Sequence, residues 1–153
     1  MDNEKTVDVL NTLIEINNDR IEGYETATKE TQEDDLKKLF ASMIATSTQC
    51  LDELTEEVER LGGTPTEGTK ITGKFFRVWM DVKVALTSND RKAILNSCEY
   101  GEDVAVDTYE KVLENDDENL GIEQKTMVAA QHKLIKADHD GIKELRDQLV
   151  EQD

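Results

Sequence analysis

Residues 36–61 read LKKLFASMIATSTQCLDELTEEVERL. Apolar or small side chains recur at Leu36, Phe40, Met43, Ser47, Cys50, Leu54 and Leu61, the alternating three-and-four spacing of a helix that buries one stripe. Leu39, Leu51 and Val58 widen that stripe enough to face two neighbours, as a helix inside a bundle must. Gly62-Gly63 follows at once and Pro65 comes just beyond, which is the chemistry of a helix C-terminus. At the other end Thr31 precedes Glu33, Asp34 and Asp35, so negative charge sits on the N-terminal dipole.

Three other stretches carry the same period. Val7, Leu10, Ile14, Asn17, Ile21, Tyr24 and Thr28 form a seam in the first, with acidic and other polar residues assigned to the opposite face. Ile94, Cys98, Gly101, Ala105 and Val112 form the third, flanked by Leu95, Tyr109 and Leu113. Val128, Gln131, Ile135, Asp138, Ile142, Leu145 and Leu149 form the fourth. Asn89 or Ser88 is placed to cap the third helix, and NDDEN at 115–119 reads as the turn into the fourth. Strand-like alternation is nowhere sustained, so the chain is predicted to be all-α, a single domain over 1–153 with helices at about 4–30, 33–61, 90–114 and 120–150. Tight joints between helices one and two, and between three and four, predict two antiparallel hairpins.

The middle connection, Gly62 to Ser88, is about 27 residues, too long for a hairpin loop. Such a length can cross the ~40 Å of a bundle and let helix three run parallel to helix two. Its second half, KFFRVWMDVKVAL at 74–86, is apolar at roughly helical spacing and predicts an extra short helix. Phe75, Phe76 and Trp79 are expected to pack on the bundle or on a second subunit or protein partner; a ligand cleft beneath them is the sharper alternative.

Composition narrows the partners. The 153 residues hold 35 Asp and Glu against 18 Lys and Arg, a net charge of −17, which repels phosphate backbones and anionic lipid. No apolar run approaches a membrane span and no secretory leader is visible at the start. The expectation is therefore a soluble cytoplasmic protein with neither nucleic acid nor membrane as partner.

Long-crossover bundles that hold two metal ions place a Glu on each of two helices and Glu-x-x-His on the other two, all near the helix midpoints, because hard iron or manganese ions need that many oxygen ligands. The predicted midpoints fall near Asn17, Ser47, Glu102 and Ile135. At this point a resemblance enters. LNTLIEINNDRIEGYETA at 10–27, EEVERLGGTP at 56–65, WMDVKVALTSND at 79–90, CEYGEDVAVDTYE at 98–110 and HDGIKELRDQL at 139–149 resemble a bacterial family of ferritin-like four-helix-bundle proteins, described as a ferritin-like domain of unknown function. The resemblance covers almost the whole chain and implies the ferritin-like fold with its crossover, but no particular activity.

Set against metal-binding ferritin-like proteins, the ligand positions are changed. Ser47 and Cys50 stand where Glu-x-x-His would fall in helix two, Asn17 or Asn18 where helix one would offer a Glu, and Lys136-x-x-His139 where helix four would repeat the motif. Glu99, Glu102, Asp138 and His139 remain as weak metal candidates, and no catalytic or cofactor-binding residue is assigned. The bland reading of Asn17, Ser47, Gln131, Asp138 and Glu102 is a polar belt whose members hydrogen-bond one another.

Nothing else in the chain announces chemistry. Cys50 and Cys98 lie on seam positions and read as buried small hydrophobes, with a disulfide between them left open. His132 and His139 share a face two turns apart, too far for one ion without other donors, and read as exposed. No nucleophile triad, phosphate loop or calcium loop is present. The expected function is a non-enzymatic bundle with a structural, interaction or stress-related role. The alternative is an oxidase or metal-storage protein with an unconventional iron or manganese site.

Overall fold

The computed structural model describes residues 3–67, 84, 91–115 and 117–152. Among them are four long helices, α1 Asn3–Glu30, α2 Asp34–Arg60, α3 Arg91–Asn115 and α4 Ile122–Gln152, a 3₁₀ turn at Asp117–Asn119, and no strand. No described helix is long and apolar enough to cross a membrane. Of residues 68–90 only Val84 is described, helical and exposed. The expectations for Phe75, Phe76 and Trp79, the crossover helix, and the cap at Ser88 or Asn89 lie outside the described residues.

Local chemistry sets the helix ends. After α2, the Gly63 N–H donates to Val58 O and the Gly62 N–H to Glu59 O, both at 3.0 Å, the paired bonds of a Schellman stop. Gly62 takes φ +82° there, a backbone region that glycine reaches without a steric penalty. Ahead of α2, the Thr31 hydroxyl accepts the Glu33 N–H at 3.2 Å, a bond made before the helix begins, while Glu33 itself is the N-cap and gives no side-chain cap. The start of α4 falls at Ile122 rather than 120, because Leu120 is drawn into the core. Gly121 then serves as cap, its N–H held by Gln124 Oε1 at 2.6 Å, half of a capping box.

The pairs α1–α2 and α3–α4 have the most extensive contacts, joined through α2–α4 and α1–α3. Directions follow from which residues meet. Tyr24 stacks on Phe40 with ring centroids 5.5 Å apart, and Asn11 donates to Thr64 O, so α1 and α2 are antiparallel. Tyr109 donates to Gln131 at 2.7 Å, and Asp103 meets His139, so α3 and α4 are antiparallel as well. Arg91, opening α3, pairs with Glu33 and Asp35 at the opening of α2. Helices α2 and α3 therefore run in the same direction.

The apolar interior falls into two clusters, and all four helices contribute to each. One holds Tyr24, Phe40, Ile94 and Ile142 with their neighbours; the other holds Leu13, Leu54, Ala105 and Val128 with theirs. Each fully buried Leu, Ile or Phe stabilises the fold by ~1.5–3 kcal/mol. Between the clusters lies a layer that is not apolar.

Candidate functional site

The layer is built on α1. Leu13, Asn17, Arg20, Tyr24 and Ala27 are all buried, a second three-and-four seam beside the expected one. Arg20 is therefore inside, 1% exposed, where the sequence reading had put a solvated polar face. The interior cation is this guanidinium and not Lys136. Ile135 points into the core and Lys136, one residue further round the helix, is exposed.

Every nitrogen of the guanidinium is engaged. Nε donates to Glu102 Oε2 at 3.1 Å and Nη2 to Glu102 Oε1 at 2.6 Å, the two-point geometry of the strongest ion pairs. Nη1 donates to Ser47 Oγ, and Nη2 also reaches Asp138 Oδ2 at 3.3 Å. The Tyr24 hydroxyl donates to Glu102 Oε1 at 2.6 Å, while the guanidinium carbon lies 5.8 Å from the Tyr24 ring centre, within cation–π range. One residue from each helix (Arg20, Ser47, Glu102, Asp138) thus meets at a single charge.

Burial by itself would lower the Arg20 pKa, but Glu102, then Tyr24 and Asp138, hold it above the ordinary arginine value. Burial raises the Tyr24 phenol, and Glu102 adds to the effect. Burial likewise raises the Asp138 carboxyl, with Arg20 opposing. The layer is a buried cation held between the acidic side chains of Glu102 and Asp138.

A second chain of hydrogen bonds runs beside it. Asn17 Nδ2 donates to the Tyr109 hydroxyl at 2.9 Å, Tyr109 donates to Gln131 Oε1, and Gln131 Nε2 donates to Cys50 O at 3.3 Å and Glu53 Oε1 at 3.0 Å. The expected belt of Asn17, Ser47, Gln131, Asp138 and Glu102 thus exists as two networks, organised by Arg20 and Tyr109, neither of which had been assigned to it.

The four weak metal candidates part company. Glu102 and Asp138 meet at Arg20. Glu99 and His139 lie outside that layer, along the α3–α4 seam, where Arg146 pairs with Glu99 and His139 Nε2 faces Asp103 Oδ1 at 2.5 Å. The histidines expected to be exposed are largely covered, their side chains 14% exposed at His139 and 22% at His132, because each faces a carboxylate across the seam. Both cysteines are buried and free, in different clusters of the core. Burial pushes the Cys50 thiol up to about 12 and raises Cys98 further, so neither is a ready nucleophile.

Fold and site together define a class: among the described residues, an all-α arrangement of four long helices with a buried arginine–carboxylate layer at their midpoints. Residues 5–115 match the family model described as Domain of unknown function (DUF2383), and the chain belongs to that family. A comparison with curated proteins finds no match.

Proposed function

We propose that this chain is a ferritin-like four-helix bundle whose interior is structural rather than catalytic, and that it acts as a non-enzymatic cytoplasmic protein through interactions or in stress physiology. The ferritin-like topology is supported by α2 and α3 running in the same direction, the relation between second and third helices that long-crossover bundles have. A docking role for Phe75, Phe76 and Trp79 in that segment, on a second copy or a protein partner, belongs to the same reading.

The observation that carries it is Arg20. Two-metal bundles converge six carboxylates and imidazoles at the helix midpoints. Here a guanidinium stands at that level, already neutralised by Glu102 and Asp138, and helix two contributes a hydroxyl from Ser47. These donors do not fit a pair of divalent ions, since an ion would have to displace a buried cation from its counter-charge. Such a layer suits another purpose. It fixes the register of four helices, because any slip would leave a buried charge unpaired at a cost of several kcal/mol.

Aerobic loading with excess Fe(II), followed by gel filtration, iron quantitation and oxygen-uptake measurement, tests the proposal. No iron-dependent oxygen uptake and no retained pair of irons is expected. Two retained irons per chain with oxygen consumption would overturn it in favour of the oxidase or storage reading.

A further inference from the structure

The seam between α3 and α4 offers a different grouping. Glu99 and Asp103 stand four residues apart on α3, and so share a face; the antiparallel α4 brings His139 across to them. One donor atom from each lies within 4.8 Å of the other two. Coordination at 2.0–2.2 Å to imidazole nitrogen and carboxylate oxygen would draw the more distant of these donors together around the ion.

The surroundings are those of a ligand set and not of three loose side chains. His139 Nδ1 lies 3.1 Å from Asp140 Oδ1; in the tautomer with its proton on Nδ1 that carboxylate accepts the hydrogen bond and Nε2 can ligate, the arrangement that outer partners of metal-bound histidines impose. Nε2 in turn lies 2.5 Å from Asp103 Oδ1, a hydrogen bond that a cation ligated by both atoms would replace, spreading them to about 3 Å. Arg146 pairs with Glu99 Oε2, which fixes that carboxylate at the seam. Two turns along the seam, His132 faces Glu110 as its one carboxylate among the described residues, which supplies a built-in comparison.

We infer that Glu99, Asp103 and His139 form a mononuclear site for a first-row divalent cation of the zinc or manganese class, at the surface of the α3–α4 pair. One imidazole and two carboxylates suit such borderline ions better than calcium or magnesium, which take oxygen alone. The three protein ligands leave a position open to solvent. The site does not rest on the structural reading of the interior, because Arg20 and Glu102 are not part of it.

Calorimetric titration with Zn²⁺, in physiological salt and excess Mg²⁺ to occupy the diffuse negative field, tests this on the full chain. One saturable equivalent is expected, with ring-proton NMR signals of His139 shifting and those of His132 staying in place. His139→Ala and Asp103→Asn are each expected to weaken binding at least tenfold, and His132→Ala to leave it unchanged, all with wild-type helical circular dichroism. Absence of a saturable equivalent, wild-type affinity in His139→Ala, or equal weakening by His132→Ala would overturn the assignment. Should a substitution unfold the chain, the wild-type ring shifts alone decide: movement confined to His139 supports the site, and any other pattern refutes it.

Discussion

A guanidinium only 1% exposed has lost almost all its hydration, and Glu102, Ser47 and Asp138 replace what water supplied. Removing one member of such a pair leaves the other buried and unneutralised, which typically costs ~3–5 kcal/mol, whereas replacing both by apolar groups is often neutral. Arg20→Met is therefore expected to lower unfolding stability by about that ~3–5 kcal/mol, and adding Glu102→Leu to recover most of it. Urea unfolding followed by helical circular dichroism measures both. A loss below ~1 kcal/mol in the single variant would mean that Glu102 is solvated and the pair contributes register alone.

At the scale of elements, the stop between α2 and the segment beyond it is also a packing contact. A Cβ added at Gly63 would lie 2.7 Å from Val7 Cγ2 and 2.8 Å from Cγ1, so the turn that ends α2 rests directly on the first turns of α1. Gly63→Ala is expected to destabilise by ~1–3 kcal/mol, as overpacking does. Val7→Ala in the same chain should return part of that loss, because it removes the colliding methyls. Thermal melts of the two variants test the contact. A double variant no more stable than Gly63→Ala would show that the contact with Val58 Cγ1, 3.3 Å from the added Cβ, sets the cost instead of Val7.

For the whole molecule, a net charge of −17 on 153 residues produces self-repulsion that favours expansion. Screening shortens from ~30 Å at 0.01 M salt to ~8 Å at 0.15 M, from a distance comparable with the bundle's length to less than its width. The melting temperature is expected to rise with KCl over that range and to rise just as much in Arg20→Met, since a buried pair is hardly screened. A salt response confined to the wild type would place the repulsion in the interior layer instead of on the surface.

The helical period was legible from single residues: Leu36, Phe40, Met43, Ser47, Cys50 and Leu54 are all buried as spaced, and Gly62-Gly63 stops α2 where the glycines stand. So were the polar members of the middle layer, Asn17, Ser47 and Gln131, because a polar residue on an apolar seam stands out. Arg20 was not. It lies at the proper interval between Asn17 and Tyr24, but an arginine is assigned outward unless its counter-charge is known, and Glu102 is 82 positions away. A separation of 36 positions likewise hid Asp103 from His139. What the order of residues determined by itself was periodicity and helix ends, which depend on neighbours within a turn or two. Which polar groups go inside, and which donors converge, depended on partners from other helices, and folding alone decides those pairings.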